Sequence, residues 1–230
     1  MDYRKTDPEF AERFEQFTFV EVPNEEGQQL DDQTRHLAII ATLLGCQGVD
    51  EFISELPRAL DAGLSPVMVK EVIYQAVDYL GIGRVRPFLD AANKVLTERG
   101  VKLPLEGQAT TTMEDRLQKG TQTQVEIFGD AMKDAWKNGH INRWLAANCF
   151  GDYYTRTGLT LAQREMITFC FLAAQGGCEP QLTAHAGGNM NLGNDKQFLI
   201  KVVSQCLPYI GYPRSLNAVA CIEKAAESRK

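Results

Sequence analysis

The stretch LDDQTRHLAIIATLLGCQGVDEF, residues 30–52, has a counterpart further along the chain: LTLAQREMITFCFLAAQGGCEPQ, residues 159–181. Leu30 aligns with Leu159, Arg35 with Arg164, Leu43 with Leu172 and Gly48 with Gly177, all at an offset of 129. A second block continues the match. VIYQAVDYLGIGR (72–84) pairs with VVSQCLPYIGYPR (202–214) at an offset of 130, so that Gln75 meets Gln205, Tyr79 meets Tyr209, Gly81 meets Gly211 and Arg84 meets Arg214. The second copy gains one residue between the blocks, near Gly193. Ordered matches of this kind define an internal duplication.

Each copy reads as helices. In the second, Thr160 and Gln163 make a capping box, and a helix follows with Ile167, Phe171 and Ala174 on one side. Gly176 and Gly177 end it. Glu179 and Pro180 suit the N-cap and first turn of the next helix, which stops at Gly193. Asn194 or Asp195 caps a third, ending at Gly211, and Pro213 opens a fourth. The first copy is punctuated alike by Gly45, Gly48, Gly63, Ser65-Pro66, Gly81 and Gly83, with Arg84 to Arg99 as its last helix. No period-2 strand pattern stands out. The expected fold class is all-α: a first repeat over 1–100, a linker over 101–112 (VKLPLEGQATTT) and a second repeat over 113–230. Val125, Phe128, Met132 and Trp136 are expected on one helix, with a second helix near 141–150. Phe10, Phe14 and Phe17 are expected to anchor the N-terminal segment in the core.

At 230 residues the chain is long enough to bury a substantial core. A net charge of −6 without a Lys/Arg stripe argues against nucleic acid as a partner. No apolar run approaches ~18 residues, so no membrane span is expected, and the N-terminus lacks a signal-peptide core. A cytoplasmic protein is expected. The six cysteines form no C-x-x-C pair, and most sit in apolar helical contexts, where free cysteine behaves as a small hydrophobe. The three histidines are scattered away from cysteines at ligand spacing, so no metal site is expected.

The two copies also serve as an internal comparison. Val49, Phe52 and Leu56 stand opposite Cys178, Gln181 and His185, and His36 stands opposite Glu165. The second copy is polar where the first is apolar, so a reactive site belongs to the second and the first is expected to be non-catalytic. Gln181 and His185 are four apart and share a helix face. Cys178 precedes that helix, whose N-terminus favours a thiolate. If the two helices pack face to face, Glu165 meets His185 and orients its ring for proton transfer. Gly187 and Gly188 each cost about 1 kcal/mol in a helix relative to alanine, which implies close approach by a helix or a ligand. In FGDYYTRTGL (150–159), read as a loop, Arg156 has the chemistry to clamp a carboxylate.

These residues carry a resemblance. The FGD…R-x-G-L entry, R-E-M-I-T, A-A-x-G, E-P-Q-L-x-x-H and the Y-I-G-Y-P corner at 209–213 resemble the carboxymuconolactone decarboxylase family, well over about 120–225 and more weakly in the first half. The resemblance implies two tandem alkylhydroperoxidase D-like helical repeats and a homo-oligomer, three chains forming a pseudo-hexamer. It implies a small-molecule substrate and chemistry without a cofactor. Its peroxidase-like members use Glu, a C-x-x-C pair and His. Here Cys178 and His185 fall on two of those places, Glu165 lies about one residue off, and Gln181 replaces the second cysteine. A local dithiol cycle therefore lacks its resolving thiol. The decarboxylase-like reading assigns proton delivery to His185, its orientation to Glu165, and substrate binding to Arg156 and Gln181. The alternatives are a peroxiredoxin-type antioxidant protein using Cys178 and a non-catalytic binding protein.

Overall fold

The computed structural model describes residues 3–229. Among these the chain is all-α, without a strand. After a short turn at Tyr3–Thr6, the main helices are α1 (Pro8–Gln16), α2 (Asp32–Gly45), α3 (Val49–Asp61), α4 (Pro66–Leu80) and α5 (Ile82–Glu98). They continue with α6 (Arg116–Phe128), α7 (His140–Trp144), α8 (Leu161–Gln175), α9 (Glu179–Asn191) and α10 (Lys196–Glu227), the last broken into two helices by non-helical backbone at Gly211 (φ 73°), where the sequence marks an end. The caps follow the sequence logic. Thr160 and Gln163 form the capping box of α8, and Asp195 accepts from Phe198 N at the start of α10. Cys178 rather than Glu179 is the N-cap of α9, which puts Pro180 in the first turn.

The repeats are interleaved. α2 and α8, the matching helices, pack against each other at the centre, where a Cβ on Gly45 would lie 2.7 Å from Ala174 Cβ and from the Phe171 carbonyl. One continuous apolar core draws on both copies, from Leu37, Ile40 and Phe52 to Ile167, Phe171 and Leu199. The residues repeated in sequence make reciprocal bonds across this junction. Arg164 Nη1 donates to Gln75 Oε1 at 2.9 Å, and Arg35 Nε donates to Gln205 Oε1 at 2.9 Å. Each arginine thus bonds the glutamine of the other copy. Arg84 also crosses to the other copy, donating to Gln175 Oε1, whereas Arg214 bonds the Ala174 carbonyl of its own copy.

Three local expectations give way. Gly129, at φ 88°, ends α6, so Met132 and Trp136 lie in separate short 3₁₀ turns. The apolar spacing runs through this glycine, but the backbone does not. Residues 150–154 are not loop: a π-helical segment, Leu145–Tyr154, carries them. Its wide turn passes close to α6, where a Cβ on Gly120 would sit 1.9 Å from the Ala146 carbonyl. The N-terminal phenylalanines are not core anchors. Phe10 is 60% exposed, and Phe14 and Phe17 are only half-buried. Residues 101–112 form no helix, and they run along the second copy through Thr110 Oγ1 to the Thr155 carbonyl and Thr111 Oγ1 to the Gly151 carbonyl.

Candidate active site

Packing of α8 against α9 brings Glu165 and His185 together. Glu165 Oε2 lies 2.8 Å from His185 Nδ1, with the carboxylate fully buried and the imidazole 8% exposed. Asn189, one turn beyond His185, donates to the backbone carbonyls of Glu165 (2.9 Å) and His185 (2.8 Å) and locks the helices in register. Gly188 is what lets them approach. A Cβ there would fall 2.8 Å from Glu165 Oε2 and 2.8 Å from Ile127 Cγ2. Gly187 has nothing within 4 Å of its Cβ position, so of the two glycines only Gly188 serves the close approach.

The other Glu165 oxygen, Oε1, accepts from Tyr154 Oη at 2.8 Å. Tyr154 is bonded in turn to Tyr79 Oη (2.9 Å) and Thr168 Oγ1 (2.6 Å). Burial holds both tyrosine hydroxyls well above their usual range, so they remain neutral donors. The imidazole is flanked edge-on by Tyr79 and Phe128, at centroid distances of 5.5 and 5.3 Å. These contacts leave the ring little freedom except at its second nitrogen.

His185 forms part of the wall of a cleft of about 580 Å³ between α6, α9, the π-helical segment and the end of the chain. Most of the wall is apolar, with Phe128, Met132, Leu145, Phe150 and Leu172. Gln124, Gln181, Asn191 and Arg229 add polar groups. Gln124 Oε1 is buried without a hydrogen-bond partner. Arg229 is the cleft's one arginine or lysine. It bonds Asn191 Oδ1 and, at 3.4 Å, the Gly187 carbonyl.

Of the residues singled out from sequence, His185 and Gln181 line this cleft, and the buried Glu165 stands behind His185. Two others do neither. Arg156 makes a bidentate pair with Glu71 at 2.9–3.1 Å, next to the fully buried Arg164, which also reaches Glu71 at 2.9 Å. Its guanidinium is spent inside the fold and does not line the cleft. Cys178 also lies off the cleft. Its Sγ donates to the Leu172 carbonyl at 3.4 Å, and burial pushes the thiol up, against the lowering expected at a helix N-terminus. The first copy has a buried pair of its own with the roles exchanged. His36 on α2 meets Glu55 on α3 at 2.6 Å. Sequence reading passed over Tyr79, Tyr154 and Arg229. The repeat does flag Tyr79, through its match with Tyr209.

The model of the carboxymuconolactone decarboxylase family matches residues 8–94 and 140–224, so the chain belongs to that family and carries its unit twice in tandem. A solved structure, provisionally assigned as a gamma-carboxymuconolactone decarboxylase subunit of Burkholderia xenovorans LB400, is similar in fold. The TM-score is 0.52 with 20% identity, over 99% of this chain and 90% of that one. No curated protein matches the chain.

Proposed function

We propose that the protein is an acid–base enzyme of the decarboxylase type, acting on a small carboxylated lactone or a related conjugated acid. One observation carries the reading: a buried carboxylate–imidazole pair, Glu165–His185 at 2.8 Å, borders a largely apolar cleft large enough for such a molecule. Arg229 takes the substrate carboxylate or its neighbour, and Gln181 and Gln124 offer amides to the ring oxygens. The bond to the carboxyl carbon breaks, carbon dioxide leaves, and the electron pair moves into the conjugated carbonyl. Amide and cationic donors in a site of low dielectric stabilise that charge. Protonated His185 delivers one proton from Nε2 to the ring carbon while Glu165 holds Nδ1. Overall, the carboxylate and a proton yield the protonated product and carbon dioxide. Assembly into a trimer is part of the same proposal. Exposed Ile141, Trp144, Tyr212 and Leu216 supply apolar surface for it.

The test is carbon dioxide release from a panel of carboxylated lactones and β-keto acids, carboxymuconolactone first, run in heavy water. The reading predicts release with one deuterium incorporated at a ring carbon of the product. A panel that releases no carbon dioxide contradicts it. The thiol alternative has nothing comparable in its favour, because Cys178 is off the cleft and its thiol is pushed up.

A further inference from the structure

A second cleft, of about 490 Å³, lies in the first copy at the place the duplication assigns to it. The two clefts share wall positions. Leu43 matches Leu172, Ser54 matches Thr183, Arg58 matches Gly187 and Tyr209 matches Tyr79, and the two members of each pair line different clefts. The imidazole has no equivalent, because Leu56 takes the place of His185 and is fully buried.

The outer wall differs most. Around the second-copy cleft it includes α6, with Gln124 and Phe128. Here it is α1, with Phe10 and Phe14, and the π-helical turn Phe17–Glu21, with Phe19. These rings form a row: Phe10 stacks on Phe14 at 6.0 Å, and Phe14 meets Phe19 edge-on at 6.4 Å. Tyr3 extends it, edge-on to Phe10 at 6.3 Å. Rings left partly in water forgo burial free energy that an apolar molecule in the cleft would supply. The charges on the wall disfavour an ion. Glu15 is held bidentately by Arg4 at 2.8 Å. Arg58 lies over the Phe19 ring at 4.4 Å and 3.6 Å from Glu55 Oε2. Burial, with Glu55 adding to it, pushes the Glu51 carboxyl up. An anion would meet Glu15 and Glu51, and a cation would meet Arg58; an uncharged molecule meets neither repulsion. One polar group lacks a partner. Tyr79 bonds Tyr154 and Cys149, whereas Tyr209 Oη is buried with no hydrogen bond. Burial keeps that hydroxyl protonated, a donor without an acceptor.

We propose that this cleft is a second, non-catalytic binding site for a small uncharged aromatic or conjugated molecule carrying one acceptor oxygen. Phe10, Phe14 and Phe19 take the ring, and Tyr209 donates to the oxygen. The site has no part in the chemistry at His185 and stands whether or not that chemistry does.

The experiment is equilibrium dialysis of the full chain at neutral pH against 2-acetylnaphthalene and 2-naphthoate, which share a shape and differ in charge. Thr183→Trp fills the second-copy cleft and isolates the first. In that background the ketone is expected to bind, and naphthoate on the order of tenfold more weakly. Ser54→Trp, at the matching position, should abolish ketone binding. Phe14→Ala should weaken it about tenfold. Tyr209→Phe should weaken it several-fold with the fold unchanged, because the hydroxyl it removes has no partner. Made in the wild-type chain as well, Tyr209→Phe decides the matter if a tryptophan variant fails to fold. Ketone binding that is absent, that Ser54→Trp and Tyr209→Phe leave unmoved, or that naphthoate equals overturns the proposal. Absence is also what a second copy of the chain seated on α1 would give, and a sedimentation coefficient that rises with concentration would identify that occupant.

Discussion

Glu165 gives one oxygen to His185 and the other to Tyr154, so it cannot be exchanged without changing both sides of the site. Glu165→Gln keeps the volume and removes the charge that favours a protonated ring. Turnover should fall on the order of 10²–10⁴-fold with little change in KM, measured as initial rates of carbon dioxide release. The adjacent glycines make a paired test. Gly188→Ala forces a methyl into Glu165, Ile127 and Phe128 and should cost about 1–3 kcal/mol in urea unfolding, with loss of activity. Gly187→Ala meets nothing and should stabilise α9 by roughly 0.5–1 kcal/mol. The opposite signs from neighbouring residues would place the close contact at Gly188 alone. The chemistry of Arg156 was legible in the sequence, but its partner was not. A guanidinium satisfies Glu71 as readily as a substrate carboxylate, and only the packing of α4 against the start of α8 decides between them.

At the scale of elements, the helices and their caps were largely legible because glycine, proline and capping residues mark backbone breaks locally. The facing of α8 and α9, by contrast, needed the third dimension. Spacing placed Gln181 and His185 on one face, and nothing in the chain alone fixed Glu165 opposite. Tyr154 was hidden for another reason: a π-helical segment has no simple sequence period, and its residues read as loop. The reciprocal Arg–Gln bonds explain why the arginine and glutamine recur in both copies. The buried Arg164 serves Gln75, Glu71 and the carbonyls of Arg156 and Thr157. Arg164→Met should therefore destabilise the protein by about 3 kcal/mol, near the lower end for a broken buried pair because Arg156 still holds Glu71.

Over the whole molecule, one core shared by two copies predicts a single cooperative unfolding transition, not two. Stability should also carry the signature of Asp78. Its carboxyl is raised from the ordinary 3.8 to about 7 in the folded chain, so between those values the native state holds a proton that the unfolded state has lost. This contribution to stability therefore falls as pH rises from about 4 to 7, and Asp78→Asn should flatten that slope in urea titrations at successive pH values. The second copy differs from the first in that its imidazole itself lines the cleft and its carboxylate is backed by two neutral tyrosines, whereas neither His36 nor Glu55 lines the neighbouring cleft of the first copy. The most direct measurement of that claim is kcat/KM for His185→Asn against wild type, on whichever panel acid the wild type decarboxylates. A fall of at least about 10²-fold is predicted, with the native fold retained. Turnover equal to wild type would contradict the account.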